Sequence, residues 1–255
     1  MSYSNELDIA RRAAHKAGEL QIKHRQKPMD TLDRKYDRSP VTEVDRRCEE
    51  LIMGMISRRF PRDGLLGEES GEVSGENGRR WIVDPLDGTR PYVRGIRTYG
   101  TLIALEDDGQ PVVGVIHLPA LSETYWAARG SGAFLNARPV RVSSESDLRL
   151  SMGSALGPVW DEDDTNASGL RRLLGKLDYS YGFMDSYSYA SVASGRLEVC
   201  ISLLDKPWDC AAPACIVREA GGRMTDIHGT ESIHEGTVVM SNGAVHESVL
   251  EFFRR

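Results

Sequence analysis

The feature that most constrains the fold is a short apolar run, Trp81-Ile82-Val83, that leads directly into the acidic turn Asp84-Pro85-Leu86-Asp87-Gly88-Thr89. A second run, Leu65-Leu66, ends in the same way at Gly67-Glu68-Glu69. Short apolar runs of this kind are typical of buried strands, and open α/β folds place their ligands at the carboxyl ends of strands. The sequence therefore predicts an α/β protein that gathers carboxylates at one edge of a sheet.

Helical patterns precede these strands. Apolar residues recur at three- and four-residue steps from Asn5 to Arg25, which is typical of an amphipathic helix. Thr42 and Asp45 have the spacing of a capping box, so a second helix is predicted from there through Ile56. Between the two helices, residues 26–42 carry two prolines and many charges, which indicates a loop or a hairpin.

The rest of the chain divides into an antiparallel part and an alternating part. Two strands, Thr101 to Leu105 and Val112 to Leu118, flank a turn rich in glycine and acids and predict a hairpin. The pattern beyond them predicts a helix from Ser188 to Ser194, a strand from Leu197 to Leu204 and a helix from Cys210 to Ala220. We expect one unit over residues 1–255, with an α+β half at 1–140 and an α/β half at 141–255 that carries Asp209.

The composition is that of a globular protein with an acidic excess. Hydrophobic residues make up 40% of the chain and charged residues 27%, which argues against disorder. The net charge of −6 argues against a nucleic-acid partner, because affinity for the phosphate backbone comes from clustered cations. No apolar run approaches the roughly 20 residues of a membrane span, so we expect a cytoplasmic protein without a membrane partner. The four cysteines include no C-x-x-C pair, which predicts buried, reduced thiols.

The acidic turn is suited to holding a divalent cation. Pro85 restricts the backbone between Asp84 and Asp87, so both carboxylates are aimed at one point. Two acids held so close repel each other unless they share a cation, and Mg²⁺ prefers a few carboxylate oxygens together with phosphate oxygens. Glu68 and Asp209 are the further candidate ligands, and together these acids outline a site for two or three metal ions.

The residues next to these acids predict contacts to a phosphate and a water. Gly88 permits close backbone approach, and a helix that begins here points free N–H groups at a phosphate. The hydroxyl of Thr89 and the carboxylate of Asp45 are candidates to hold and deprotonate a water at the metal site for in-line attack on phosphorus. These residue types together indicate hydrolysis of a phosphate ester.

Four motifs occur in a fixed order along the chain. They are Pro40-Val41-Thr42-Glu43-Val44-Asp45, Gly67-Glu68-Glu69-Ser70, the turn from Asp84 to Thr89, and Trp208-Asp209 followed by Glu219-Ala220-Gly221-Gly222. This set resembles the inositol monophosphatase family of metal-dependent, lithium-sensitive phosphatases, over about Leu7 to Phe253. The resemblance implies a layered αβαβα sandwich of the inositol monophosphatase and fructose-1,6-bisphosphatase type. It also implies a homodimer that hydrolyses a small phosphorylated metabolite with Mg²⁺.

The resemblance further implies roles for individual residues. The metal ligands would be Glu68, Asp84 and the Leu86 carbonyl for one ion, and Asp84, Asp87 and Asp209 for another. By the same match, Asp45 and Thr89 would orient the nucleophilic water. The backbone amides of Gly88 and Thr89 would contact the phosphate.

The choice of phosphate ester depends on residues outside these motifs. In inositol phosphatases, a glutamate that binds ring hydroxyls typically lies seven residues before the aspartate of Trp-Asp, and here that position is Ser202. A cationic amino alcohol, such as the substrate of the histidinol-phosphatase branch, needs a carboxylate near its ammonium group, and Asp185 or Asp205 would provide one. However, the histidinol-phosphatase branch also tends to carry an acid where Ser202 stands. Arg90 either reaches a substrate anion or caps a helix face. The segments that look more like the histidinol-phosphatase branch are Tyr92-Val93-Arg94-Gly95, Tyr99 to Leu105, Trp126 to Gly130 and Asp185 to Tyr189.

We therefore expect a histidinol-phosphatase-like enzyme. The alternatives within the class are an inositol-1-monophosphatase and a broad sugar-phosphate or nucleotide phosphatase. From a different class, the alternative is a regulatory family member that binds RNA or a protein partner.

Overall fold

Two β-sheets and the helices on their faces make up the structure, a computed structural model that describes residues 3–25, 33–34, 40–157, 165–182 and 185–254. The helices are α1 (Ser4–Arg25), α2 (Glu43–Arg59), α3 (Thr89–Arg94), α4 (Thr165–Leu174), α5 (Asp185–Ala193), α6 (Pro207–Glu219) and α7 (His246–Leu250). The strands are β1 (Asp33–Arg34), β2 (Pro40–Val41), β3 (Gly64–Gly67), β4 (Gly71–Val73), β5 (Arg79–Asp87), β6 (Gly100–Asp107), β7 (Gln110–Leu118), β8 (Glu123–Ala128), β9 (Ala133–Leu135), β10 (Arg138–Val140), β11 (Met152–Leu156), β12 (Tyr179–Tyr181), β13 (Val199–Ser202), β14 (Arg223–Thr225) and β15 (Val238–Ser241).

The first sheet has eight strands in the order β10-β9-β8-β7-β6-β5-β3-β4. Strands β3 and β5 pair parallel, and the other neighbours pair antiparallel. Successive residues of β5 face opposite sides, because Trp81 and Val83 pack with residues of α1 and α2, whereas Ile82 packs with residues of α6. Both faces of the central strands β5, β6 and β7 are buried, which explains why these strands read as continuous apolar runs.

The second sheet has five strands in the order β12-β11-β13-β15-β14. It is parallel from β12 through β11 to β13 and antiparallel from β13 through β15 to β14. Cys200 and Met240 face α5 and α6, whereas Val199 and Val239 pack with α4 and α7. The layers are therefore α1 and α2, the first sheet, α5 and α6, the second sheet, and α4 and α7, which confirms the αβαβα sandwich.

The two N-terminal helices agree closely with the sequence pattern. Helix α1 begins one residue before the predicted start and ends where predicted. Thr42 is the N-cap of α2, because its Oγ1 accepts the N–H of Asp45 at 3.4 Å and the Asp45 carboxylate accepts the N–H of Thr42 at 2.8 Å. The helix continues to Arg59, three residues past the predicted end. The sequence pattern missed this last turn because Ile56 is the last buried residue of the helix and no apolar residue marks the turn beyond it.

The predicted hairpin is present: β6 extends past the predicted strand at both ends, whereas β7 begins two residues earlier than predicted and ends at Leu118 as predicted. Strands β6 and β7 are joined by the two-residue turn Asp108-Gly109, whose φ angles are 53° and 70°. Positive φ at both positions gives a turn whose twist matches that of the flanking strands, and Asp-Gly adopts it readily.

The predicted elements of the second half are present with shifted ends. Helix α5 begins three residues earlier than predicted. The predicted strand from Leu197 to Leu204 is shortened to the four residues of β13, because its antiparallel partner β15 also has four. The predicted helix from Cys210 to Ala220 begins instead at Pro207, because proline suits the first helical position and the Asp209 carboxylate accepts the N–H of Lys206 at 2.7 Å.

Three further expectations concern the remaining segments. Strands β1 and β2 pair antiparallel, which confirms a hairpin for residues 33–34 and 40–41, while residues 26–32 and 35–39 lie outside the described residues. All four cysteines are free and buried. Among the described residues, no helix combines the length and the apolar character that crossing a bilayer requires.

Candidate active site

The acidic turn lies at the carboxyl end of β5, where the pairing of this strand with β6 is interrupted between Asp84 and Asp87. Asp84 still pairs with Leu102 and Asp87 with Gly100, so the register shift is confined to Pro85 and Leu86 between the two acids. The N–H of Leu86 donates to Asp84 Oδ1 at 3.0 Å, which fixes the orientation of that carboxylate. Pro85 lies between the two acids and limits the backbone there.

Asp209 reaches the same point from the first turn of α6, the helix between the two sheets. One carboxylate oxygen from each of Asp84, Asp87 and Asp209 lies within 4.8 Å of the other two. Within the ranges that the structure describes, no other group of three acids, histidines or cysteines has this spacing. Three of the predicted metal ligands therefore meet at one place.

Burial and neighbouring negative charge raise the pKa of all three carboxyls, and burial is the largest cause in each case. The pKa of Asp84 lies well above its ordinary value, with further contributions from the charges of Glu68, Asp87 and Asp209. The pKa of Asp87 is raised to about 8. A divalent cation bound here would remove the repulsion that raises these pKa values, so the oxygen donor set fits a hard cation.

Glu68 is the first residue after β3, the parallel neighbour of β5. Its backbone N–H donates to the carbonyl of Val83 at 3.2 Å, which ties it to the strand that carries the acidic turn. Its charge contributes to the raised pKa of Asp84, Asp87 and Asp209. The fourth predicted acid is thus adjacent to the other three.

The predicted pair Thr89 and Asp45 is in contact. Thr89 Oγ1 lies 3.1 Å from Asp45 Oδ1 and 3.1 Å from the carbonyl oxygen of Leu86, so its single hydroxyl proton has two acceptors. The other oxygen of Asp45 accepts both the N–H and the hydroxyl of Thr42. Asp45 is buried, and burial is the main cause of its raised pKa. The N-cap of α2 therefore also orients a carboxylate toward Thr89.

Gly88 brings two helix starts together. It is the N-cap of α3 with a φ of 74°, a left-handed conformation that glycine adopts without strain. A Cβ added here would lie 3.3 Å from Asp185 Oδ2 and 3.3 Å from the carbonyl oxygen of Thr98. The start of α3 therefore lies against the start of α5.

A cavity of about 820 Å³ opens beside Asp87 and Asp209. The four predicted substrate-side residues line this cavity, and they are Arg90, Asp185, Ser202 and Asp205. Lys206 and Glu235 also line it, and the sequence pattern did not single out either of them. The structure thus places the acids of the turn at one end of a cleft whose other walls carry both signs of charge.

Asp205 and Asp185 are the two predicted carboxylates in this cavity. Tyr189 donates its hydroxyl to Asp205 Oδ2 at 2.5 Å, and Ser202 is also hydrogen-bonded to this carboxylate. Burial raises the pKa of both acids to about 6, while the charge of Arg90 acts in the opposite direction on Asp185. Asp205 is therefore held by neutral donors, whereas Asp185 has a cationic neighbour.

Two contacts to the acidic turn were missed at the sequence level. Gln21 of α1 is fully buried, and its Nε2 donates to the carbonyl of Pro85 at 2.9 Å and to Thr101 Oγ1 at 2.8 Å. The backbone N–H of Ser186 donates to Asp87 Oδ2 at 2.9 Å. A polar residue at a buried helical position was the available signal for Gln21, but a backbone donor such as that of Ser186 leaves none.

Comparison with known sequences and structures shows the family of the chain. The sequence profile of the inositol monophosphatase family matches residues 2–255, so the chain belongs to this family of phosphatases, which are generally metal-dependent and act on small phosphorylated metabolites. This also confirms the resemblance inferred from the four motifs.

Several individual relatives cover most of the chain. It is 42% identical to a histidinol-phosphatase from Chlorobaculum parvum, with 96% of this chain and 95% of the relative covered. It is 32% identical to a fructose-1,6-bisphosphatase/inositol-1-monophosphatase from Thermotoga maritima, with 97% and 95% covered. Among solved structures, the extragenic suppressor protein SuhB from Bartonella henselae superposes with a TM-score of 0.92 at 32% identity, with 98% and 99% covered. Two of these relatives are named for different phosphatase activities, and the third is named as an extragenic suppressor protein.

Proposed function

We propose that this protein is a Mg²⁺-dependent phosphomonoesterase whose substrate is the phosphate ester of a small, cationic alcohol, as in histidinol phosphate. The observation that carries the proposal is the meeting of Asp84, Asp87 and Asp209 within 4.8 Å beside a cavity of about 820 Å³. The contact between Asp45 and Thr89 next to the same turn supports it. As the family resemblance implies, we expect the enzyme to work as a cytoplasmic homodimer.

The chain offers ligands for two or three Mg²⁺ ions. One ion would be held by Glu68, Asp84 and the carbonyl of Leu86, and a second by Asp84, Asp87 and Asp209. When bound, Mg²⁺ lowers the pKa of water and stabilises the negative charge that develops on the phosphate oxygens. Asp84 is buried, whereas Asp87 and Asp209 are partly exposed, so the electrostatic interactions of Asp84 are the least screened by solvent.

Asp45 and Thr89 supply the proton path for the attacking water. When the Thr89 hydroxyl donates to Asp45 Oδ1, its lone pairs remain available to accept a hydrogen bond from the water. The proton released by the water then passes through Thr89 to the Asp45 carboxylate. Thr42 holds the other oxygen of Asp45, so the acceptor keeps its orientation during the transfer. The backbone amides of Gly88 and Thr89 would hold the phosphate in line with the attack.

Asp205 supports the assignment of a cationic substrate. Its carboxylate lines the cavity and is held only by the hydroxyls of Tyr189 and Ser202 among its identified contacts. An ammonium group that reached it would form a charge-assisted hydrogen bond in a buried place. The 42% identity to a protein named histidinol-phosphatase points the same way. Arg90 is placed to contact an anionic part of the substrate or to neutralise Asp185.

A polyol phosphate is the second candidate, and a specific observation favours it. Ser202 and Asp205 together present a hydroxyl and a carboxylate to the cavity, and such groups also bind ring hydroxyls. The relative from Thermotoga maritima is named for sugar and inositol phosphates. The alternative from a different class is a regulatory role without catalysis. The SuhB relative from Bartonella henselae motivates a test of this alternative, because it is named as an extragenic suppressor protein and not for an enzymatic activity.

Release of inorganic phosphate tests these proposals. The substrates are histidinol phosphate, inositol 1-phosphate, fructose 1,6-bisphosphate and adenosine 3′,5′-bisphosphate, each with Mg²⁺ and with EDTA. We expect the highest kcat/KM for histidinol phosphate, dependence on Mg²⁺, and inhibition by lithium and by calcium. The variant Asp84→Asn should be inactive, while Asp108→Asn, the same change in the exposed hairpin turn, should match the parent. Absence of phosphate release from every compound would refute the enzyme assignment.

A further inference from the structure

Glu49 is a buried carboxylate that the catalytic motifs leave without a role. Its residue is only 3% exposed, although an acid is rarely buried without charged or hydrogen-bonding partners. It lies on α2 four residues after Asp45, so both side chains project from the same face of the helix.

The partners of Glu49 are two backbone N–H groups in the turn that follows Glu68. Glu49 Oε2 accepts the N–H of Glu69 at 2.9 Å, and Glu49 Oε1 accepts the N–H of Ser70 at 2.7 Å. Hydrogen bonds to an ionised carboxylate are about twice as strong as those between neutral groups. The backbone of Glu68 is thus held on one side by Val83 of β5 and on the other by Glu49.

Gly67 shows how closely the turn approaches this carboxylate. A Cβ added at Gly67 would lie 2.6 Å from both Cδ and Oε2 of Glu49, well inside van der Waals contact. Only a glycine at this position permits the observed geometry. The close approach is a second observation, independent of the two hydrogen bonds, that the turn is seated on Glu49.

We propose that Glu49 is a positioning residue that holds Glu68 at the distance from Asp84 which metal binding requires. This inference rests on the proposed role of Glu68 as a metal ligand. Helix α2 then orients two parts of the site from one face, since Asp45 contacts Thr89 and Glu49 contacts the turn after Glu68. Partners that orient metal ligands typically account for 10–100-fold in metal affinity.

The test compares Glu49→Gln with Glu50→Gln, which removes the same charge from the adjacent, exposed residue of the same helix. The glutamine is nearly isosteric, but its amide accepts only one of the two N–H groups and turns its own N–H donors toward the other. Binding of Mg²⁺ alone is measured by isothermal titration calorimetry, and thermal melting in EDTA reports stability. We expect a Kd for Mg²⁺ that is about 10–100-fold higher in Glu49→Gln and unchanged in Glu50→Gln.

Gly67→Ala tests the same contact from the other side, because the added methyl group displaces the Glu49 carboxylate. It should also weaken Mg²⁺ binding, and the double variant should lose less than the product of the two single effects. If Glu49→Gln shows no cooperative melting transition, Gly67→Ala alone tests whether the contact with Glu49 affects Mg²⁺ binding. A variant that melts at a lower temperature but binds Mg²⁺ with the parent's Kd would show a purely structural role and overturn the proposal.

Asp84→Asn in the same titration separates this proposal from the assignment of the site. If Asp84→Asn binds Mg²⁺ as the parent does, the metal site itself is wrongly assigned. If Asp84→Asn loses binding while Glu49→Gln and Gly67→Ala retain it, the site stands and Glu49 has no positioning role.

Discussion

Replacing Asp209 with Asn should stabilise the metal-free protein and strongly reduce its stabilisation by Mg²⁺. The substitution removes one of three carboxylates whose oxygens lie within 4.8 Å of one another. The Asn oxygen still accepts the N–H of Lys206, which Asp209 accepts at 2.7 Å, so the start of α6 is retained. The change is therefore mainly one of charge.

The distance between the carboxylate oxygens sets the size of the expected gain in stability. Two unit charges 4.8 Å apart repel each other by about 3 kcal/mol at an effective dielectric constant of about 20. Because the pKa of Asp209 is raised in the fold, by burial first and then by neighbouring acids, the folded state binds more protons than the unfolded state above the ordinary pKa. Stability in EDTA should then fall as the pH rises, and the gain from Asp209→Asn should grow from pH 6 to pH 8 toward about 3 kcal/mol. For a domain of this size, that gain corresponds to roughly 6–12 °C in Tm.

Thermal melting in EDTA and in Mg²⁺ at the two pH values is the assay. The parent should gain about 2.7 kcal/mol at a Mg²⁺ concentration 100-fold above Kd, whereas Asp209→Asn should gain much less. Asp108→Asn in the exposed hairpin turn is the matched control and should leave both quantities unchanged. If Asp209→Asn were less stable than the parent in EDTA at pH 8, the reasoning about mutual repulsion would be refuted.

Three further predictions follow from the packing and hydrogen bonds. Gly114→Ala should destabilise the fold by about 1–3 kcal/mol in urea unfolding, because its Cβ would lie 2.4 Å from the carbonyl oxygen of Ala212. Gly54→Ala in α2 should instead stabilise the fold by about 1 kcal/mol, because its Cβ would have no neighbouring atom within 4 Å. Thr89→Val should lower kcat by about 10²–10⁴-fold and Thr89→Ser should retain most of it, in the phosphate-release assay. Burial lowers the pKa of His246 to about 4, so its ring stays neutral in the fold while the unfolded state takes up a proton as the pH falls below 6.5. The free energy of unfolding of the parent should therefore fall by about 2 kcal/mol by pH 5 because of this group. The free energy of unfolding of His246→Gln should fall by less.

Each of these predictions has an outcome that contradicts it. Equal stability of the two glycine variants would mean that α6 is not packed tightly on β7. Full activity of Thr89→Val would exclude the hydroxyl from the proton path. A parallel pH dependence of the parent and the His246 variant would show that the ring is protonated in the fold.

Local patterns in the chain were sufficient for much of the site. The capping box of Thr42 and Asp45 is a contact between residues three apart, so it depends on no other element. The rigid turn between Asp84 and Asp87 is equally local, since Pro85 limits the backbone wherever the turn lies. Residue types were informative as well, because acids that follow apolar strands have few structural uses at a buried sheet edge.

The ends of the strands and helices, and the contacts around the candidate site, were harder to predict from the sequence. The length of β13 depends on its partner β15, and the sequence around Leu197 to Leu204 contains no record of that partner's length. Gln21 and Glu49 contact the segments of the candidate site through backbone groups of Pro85, Glu69 and Ser70. Backbone donors and acceptors are the same in every residue type, so no motif identifies the place where such a contact forms.

The sequence by itself determined the candidate residues for the chemistry, because carboxylates, a hydroxyl and glycines in fixed local spacings have only a few shared uses. Only the tertiary structure decided that Asp209 joins Asp84 and Asp87, since the packing of α6 between two sheets sets the distance between segments far apart in the chain. The tertiary structure also decided that Asp205, Arg90 and their neighbours line one cavity. The physical reason is that side-chain periodicity records which face of an element is buried, whereas the choice of facing partner depends on how the layers pack against one another.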